Sequence, residues 1–234
     1  MTGMSSQDTK RLSSVQTQAK PRLRPRASAS LILIDRSGTS PTVLVGKRSS
    51  GHVFMPDLYV FPGGRRDPRD HALPYSRDLD RRVLTQLLAK AGTRLTPNGA
   101  RALALAAIRE LREETGLIFG SAQSPKTGAP DLSCLRLIAR AVTPPGAIRR
   151  FDNRFFATFV DEAAIDPSAL ADSSELQDLR WISIFDLSNL KMPEITLAVL
   201  NELKILLESD PSLPFGSAVH IYSRRDTGFV RTRL

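Results

Sequence analysis

Glu110, Glu113 and Glu114 stand at positions i, i+3 and i+4, a spacing that gathers three carboxylates on one side of a helix. That arrangement is locally unfavourable. The like charges repel, and Glu113 and Glu114 fall in the last helical turn, where the dipole favours cations. Arg109, four residues before Glu113, and Arg112 offset part of the repulsion. Two readings follow. One is a solvated, salt-bridged helix face, which is common. The other is a cluster relieved by a hard divalent cation, Mg²⁺ or Mn²⁺, which takes oxygen ligands and is shared between protein carboxylates and substrate phosphates.

The helix that carries these residues is marked at both ends. Thr96 is placed as N-cap and Pro97 as the first helical residue, the body is rich in Ala and Leu, and Gly116 lies just past the end. Ahead of it, Ala27–Asp35 and Thr42–Arg48 read as strands. Asp57–Phe61 is a third, running into Pro62-Gly63-Gly64, a turn expected to break any regular element. A short amphipathic helix is expected around Arg82–Ala91. After the marked helix, Leu135–Val142, Arg154–Val160 and Leu179–Ile184 read as strands, Pro193–Leu207 as an amphipathic helix, and Val219–Tyr222 as one more strand. This order predicts an α/β fold, a mixed sheet with helices on both faces.

A chain of 234 residues, 41% hydrophobic and 24% charged, is expected to form one domain with tails. No apolar run approaches the roughly 18 residues of a membrane span, and the start of the chain lacks the apolar region of a secretory signal. A soluble protein is expected. The single cysteine, Cys134, excludes an internal disulfide and fits a reducing compartment such as the cytoplasm; it reads as a small core residue. Residues 1–26 hold six basic residues against Asp8, supplying +5 of the formal +9. That segment reads as a solvated, disordered basic tail, with an organelle transit peptide as second reading. The domain proper is expected over 27–234. Nucleic acid is a disfavoured partner, because the excess charge is concentrated in the tail.

Arg109-Glu110-Leu111-Arg112-Glu113-Glu114-Thr115-Gly116-Leu117 resembles the second half of the Nudix box, R-E-U-x-E-E-x-G-U with U aliphatic, at every fixed position. Phe61-Pro62-Gly63-Gly64 resembles the loop that opens the same box. The resemblance implies an α/β/α sandwich and a pyrophosphatase that uses Mg²⁺ or Mn²⁺. It implies Glu110, Glu113 and Glu114 as metal ligands, a backbone carbonyl at Gly64 as another, and Arg109 as the residue that orients the glutamates. The box is split here. Five residues separate Gly64 from Asp70, which stands where the family carries Glu, and 38 residues separate Asp70 from Arg109 where seven are expected, an insertion of 31. Counting back from Arg109 instead places Arg101 at the acidic position, so the role of the first acid is open. The inserted stretch is taken as about 71–95.

The segment Val43–Ser50, then Phe54-Met55-Pro56, then Val60–Gly64 is similar to the peroxisomal acyl-CoA diphosphatase branch of that family, which also carries an insertion in the box. The coenzyme A signature L-L-T-x-R-[SA]-x3-R-x3-G-x3-F-P-G-G is matched at Arg48, Ser49 and Phe61–Gly64, and missed at Val53 and Asp57. Such a site needs cations for phosphates and an apolar path for the thioester arm. Arg48 and Lys47 are candidates for the first, Phe54 and Met55 for the second. Bland alternatives are a solvated strand end and core packing. Arg150 and Arg154, in Arg149–Phe156, are further candidates for phosphate contact, and Glu175 stands where many Nudix enzymes carry an additional acid that binds metal or activates water; a surface glutamate is its alternative. The implied reaction is hydrolysis of coenzyme A or acyl-CoA to 3′,5′-ADP and (acyl-)4′-phosphopantetheine. The rivals are another nucleoside diphosphate derivative (ADP-ribose, NADH, capped RNA) and a Nudix-fold binding module without catalysis. A homo-oligomer is compatible with the sequence.

Overall fold

The computed structural model describes residues 24–51, 55–91, 95–120, 129–147, 149–186, 190–225 and 228–234. Nine strands and three α-helices are described, with short 3-10 turns at Pro68–Ala72 and Leu132–Cys134. The strands are β1 (Arg26–Asp35), β2 (Thr42–Arg48), β3 (Tyr59–Val60), β4 (Gly63–Arg65), β5 (Arg136–Val142), β6 (Phe151–Phe159), β7 (Leu176–Ser183), β8 (His220–Arg225) and β9 (Gly228–Arg233). The helices are α1 (Arg81–Leu88), α2 (Pro97–Thr115) and α3 (Glu194–Ser209). The main path of the sheet runs β3-β2-β1-β6-β5-β8-β9, with β4 paired to β1 and β7 to β2.

β1 lies inside the sheet, between β2 and β6, because both its faces are apolar. Leu31, Ile32, Leu33 and Ile34 are all fully buried, so the strand reads as a continuous apolar run rather than an alternation. Leu31 and Leu33 pack in one layer with Leu103, Ala107 and Leu111 of α2 and Val83 and Leu87 of α1. Ile32 and Ile34 pack in the other with Val199, Leu200 and Leu203 of α3. The result is the expected α/β/α sandwich on a mixed sheet: β1 runs parallel to β6 over nine residues and antiparallel to β2 and β4. Burying one such aliphatic side chain contributes about 1.5–3 kcal/mol.

α2 begins and ends where its cap residues dictate. The Thr96 side chain accepts a hydrogen bond from the Gly99 N–H at 3.1 Å, Pro97 occupies the first turn, and Gly116 closes the helix in the left-handed conformation at φ +74°. Five buried alanines between Ala100 and Ala107 keep its inner face thin, so the helix sits close on the sheet.

The expected break falls at Phe61-Pro62, between β3, which pairs with β2, and β4, which pairs with β1. Gly63 and Gly64 themselves differ from expectation: they begin β4, with Gly63 opposite Ser30 and Gly64 opposite Ala29. A side chain at Gly63 would place its Cβ 2.5 Å from the Ala29 carbonyl oxygen, so glycine is what permits the pairing. β9 was not expected either: its sequence lacks apolar alternation, and it forms as the antiparallel partner of β8. Arg26 already belongs to β1, although it falls inside the segment read from composition as tail. Most of that segment, residues 1–23, lies outside the described residues.

The insertion folds as part of the domain. Asp80 caps α1 by accepting from Arg82 N–H at 2.8 Å, and Gln86 donates to the Ser217 carbonyl at 2.7 Å. Arg101 of α2 pairs with Asp78 at 2.7 Å. Cys134 is buried, and burial pushes its thiol up to about 11, which fits a core residue. Among the described residues no helix is long and apolar enough to cross a membrane.

Candidate active site

β1 pairs with β4 through Ser28–Ser30 and with β2 only at Ile34 and Asp35. The sheet therefore forks along β1. A cavity of about 1060 Å³ occupies this region, lined both by the last turn of α2 and by the sheet residues Ser28, Ser30, Asn153 and Phe155.

Arg109 organises the acidic end. Its guanidinium donates to Glu110 and Glu113 at 2.9 Å each, to the Arg65 carbonyl at 3.1 Å, and to Asp70 at 2.9 and 3.3 Å. The bonds to Asp70, ahead of the adjoining Glu110, raise its pKa beyond the already high arginine value. Asp70 is fully buried and also accepts from the Asp67 N–H at 2.6 Å. The first acid, left open by the split motif, thus holds Arg109, while Arg101 is engaged with Asp78 outside this cluster.

Glu114 is buried, and its Oε2 accepts the Gly63 N–H at 2.8 Å. Burial pushes its carboxyl up to about 8 against the opposing pull of that N–H, with Glu110 adding to the rise. Glu110 is raised as well, first by burial and then by Glu113 and Glu175, with Arg109 opposing. A Cβ on Gly64 would lie 2.3 Å from Glu110 Oε1; glycine lets the Glu110 carboxylate press against the β4 backbone. Among the described residues no three acidic, His or Cys side chains are drawn together as a ready ligand set, since Glu110 and Glu113 turn to Arg109 and Glu114 turns to Gly63.

Glu175 lines the same cavity from the bend before β7, and its carbonyl accepts the Ser49 N–H at 3.0 Å. Arg48, at the end of β2, also lines it; burial lowers its pKa, and Glu114, Glu175 and Glu110 oppose that shift. Met55 lines the cavity in a left-handed conformation at φ +55°. Arg150 does so too, its Nε donating to the Thr143 carbonyl at 3.1 Å.

Two candidates are placed elsewhere. Lys47 does not line the cavity and pairs with Asp57 at 3.6 Å. Arg154 is buried and pairs with Asp152 at 2.9 Å. The period of two along β6 explains this: Asn153 and Phe155 face the cavity, so Arg154 projects to the opposite face of the sheet. Phe54 lies outside the described residues. Sequence reasoning missed Ser28, Ser30, Asn153, Arg24 and Arg26, all of which line the cavity; only the position of Asp70 after Gly64 carried a signal for that residue.

A NUDIX hydrolase from Alicyclobacillus acidocaldarius is similar to this chain with a TM-score of 0.55 at 25% identity, over 76% of this chain and 90% of that one. The chain has the Nudix hydrolase fold. A MutT protein from Methanosarcina mazei Go1 matches with a TM-score of 0.49 at 14% identity, over 80% and 97% of the two chains. The NUDIX domain of Shewanella oneidensis NrtR, crystallised with ADP ribose, matches with 0.47 at 13% identity, over 79% and 90%. No family model and no curated protein matches the chain. Within this Nudix fold the two halves of the box meet in space through Arg109, Gly63 and Gly64 despite the insertion between them.

Proposed function

We propose that this chain hydrolyses the pyrophosphate bond of a nucleoside diphosphate derivative with the help of Mg²⁺ or Mn²⁺, and that the substrate is coenzyme A or an acyl-CoA. The observation that carries the reading is the set of four glutamates, Glu110, Glu113, Glu114 and Glu175, lining one large cavity beside Arg48 and Arg109. The donor chemistry fits a hard cation: the side chains offer carboxylate oxygen, and Gly64 lacks the Cβ that would separate the β4 backbone from Glu110. Glu110, Glu113, Glu114 and the Gly64 carbonyl would hold the ion, which when bound supplies charge neutralisation and acidifies water.

The remaining work falls to the chain itself. Arg109, fixed by Asp70, keeps Glu110 and Glu113 in place; it is a positioning residue. Arg48 binds the pyrophosphate oxygens. Glu175 takes the proton of the attacking water as its oxygen bonds to phosphorus, and the bridging P–O bond breaks with the electron pair leaving on the departing phosphate. The apolar residues Met55, Phe61, Phe155 and Ile195 suit the thioester arm. Coenzyme A is favoured by the signature residues Arg48, Ser49 and Phe61–Gly64.

The test is a hydrolysis screen with coenzyme A, acyl-CoA, ADP-ribose and NADH, with and without Mg²⁺ or Mn²⁺. The expected products from coenzyme A are 3′,5′-ADP and 4′-phosphopantetheine, with turnover reduced at least about 100-fold in Glu113→Gln and Glu114→Gln. Unchanged turnover in both variants removes the site assignment. Cleavage of ADP-ribose without release of 3′,5′-ADP from coenzyme A removes the substrate assignment alone.

A further inference from the structure

The cavity has a second pole that the hydrolytic reading does not use. Ser28 is the third residue of β1, opposite Arg65 on one side and Asn153 on the other. It is buried to 5% exposure, and its Oγ has no hydrogen-bond partner. A buried hydroxyl left unsatisfied is costly. Ser28 nevertheless lines the cavity, next to Ser30 and Asn153, whose side chains bond to each other at 3.1 Å.

Arg26 continues the same face of the strand two residues before Ser28, Arg24 stands two residues ahead of the strand, and both line the cavity with Arg149 and Arg150. Arg24, Arg26 and Arg149 make no ion pair among the described residues. The Arg26 N–H donates to the Arg150 carbonyl at 2.8 Å, which fixes the two arginine-bearing segments side by side. An arginine rim alone is a solvated surface; the orphaned hydroxyl beneath it is what points to a ligand. Both features together suit an anion with several acceptor oxygens and one proton-accepting contact for Ser28, which describes a phosphate.

The geometry also separates this pole from the first. Ala29 is opposite Gly64, and Arg26 lies three residues away along the strand, roughly 10 Å at the usual rise. A pyrophosphate held at the glutamates would therefore leave this pole for a different group of the same molecule. We propose that Ser28, Arg26 and the neighbouring arginines bind a phosphate monoester carried by the substrate on its ribose, separate from the pyrophosphate that is cut. The inference rests on the pyrophosphatase reading for the placement of the other end of the ligand.

Matched pairs that differ only in that monoester provide the test: coenzyme A against dephospho-coenzyme A, and NADPH against NADH. Hydrolysis in Mg²⁺ is expected to favour the phosphorylated member of a pair by about 10- to 100-fold in kcat/KM, mainly through KM. The pair that reacts identifies the source of the phosphate. That preference should collapse towards unity in Arg26→Gln and in Ser28→Ala, the second of which removes the buried hydroxyl without adding bulk. A binding arm needs no catalysis: calorimetric titration of the metal-free chain with adenosine 3′,5′-bisphosphate, adenosine 2′,5′-bisphosphate and AMP. At least one bisphosphate should bind about tenfold or more tighter than AMP to wild type, and equally to AMP in the variants. Hydrolysis of neither pair, with that binding preference intact, would sink the reading that coenzyme A is the substrate cut and leave the subsite standing. Equal binding of all three nucleotides by wild type overturns the subsite, as does a preference that both variants retain.

Discussion

Asp70 and Arg109 lie 39 residues apart in the chain and are joined by two side-chain hydrogen bonds, at 2.9 and 3.3 Å, with the carboxylate fully buried. The insertion between them leaves that contact intact. Arg109→Met should leave a buried carboxylate without its counter-ion and lower the unfolding free energy by about 3 kcal/mol or more. Urea denaturation of wild type, Arg109→Met, Asp70→Asn and the double variant measures this, and the cycle should show strong coupling. Variants that unfold at the wild-type midpoint would mean the pair is idle.

Gly63 and Gly64 are adjacent but should respond differently to alanine. At Gly63 the new Cβ meets the backbone of β1, at 2.5 Å from the Ala29 oxygen, and cannot be accommodated without parting β4 from β1. At Gly64 it meets the end of the flexible Glu110 side chain, which can swing away. We expect Gly63→Ala to lose about 2–3 kcal/mol of stability, and Gly64→Ala to keep its fold while losing metal-dependent turnover about 100-fold. Thermal melts and turnover, measured on the same preparations, decide between this pattern and its reverse.

Glu114 links stability to pH. Its carboxyl titrates near 8 in the folded chain and near the ordinary 4.5 when unfolded. Between those values the unfolded state has released a proton that the folded state retains, so this residue's contribution is full below about 4.5 and is lost as pH rises towards 8. In chelator, Glu114→Gln should melt on the order of 5 °C above wild type at pH 8.5 and nearly with it at pH 4.5. A difference that is constant across the range would contradict the shift.

Glu202 should show the opposite dependence. It is buried on α3 and accepts from Tyr222 at 2.5 Å and Arg231 at 2.9 Å, with His220 at 3.1 Å. Burial raises its pKa, but these donors outweigh it and the net shift is downward. Its stabilising effect is therefore present above the ordinary carboxylate range and lost as pH falls through the folded value. Glu202→Gln should be destabilised at pH 7 by about 1–2 kcal/mol and should approach wild type in acid. A penalty at pH 7 that persists undiminished in acid melts would rule this out.

Local rules made some of this structure readable from sequence alone. Thr96, Pro97 and Gly116 mark the ends of α2 because caps depend on residues within one turn. The helix spacing of Glu110, Glu113 and Glu114 and the family motif together pointed to the acidic end of the cavity. Properties that depend on partners elsewhere were not readable. A serine in a strand gives no sign of whether its hydroxyl will be satisfied, so Ser28 passed unnoticed. Arg24 and Arg26 were absorbed into a tail defined by average composition. Arg154 is a candidate through the resemblance of Arg149–Phe156 to the family branch, but a strand turns alternate residues to opposite faces, and a motif match does not say which face meets the cavity. Gly63 and Gly64 read as a breaker because their close approach to β1 requires a strand more than 30 residues earlier.

The parallel pairing of Arg26–Ile34 with Phe151–Phe159 has a kinetic consequence. This interior strand precedes its partner by 125 residues, so during synthesis its apolar run must wait while most of the domain is made. Long-range parallel pairing of this kind is slow to form and leaves sticky segments open in the interim. Yield of active chain on refolding should therefore fall steeply with protein concentration, and a holdase that shields Leu31–Ile34 should restore it.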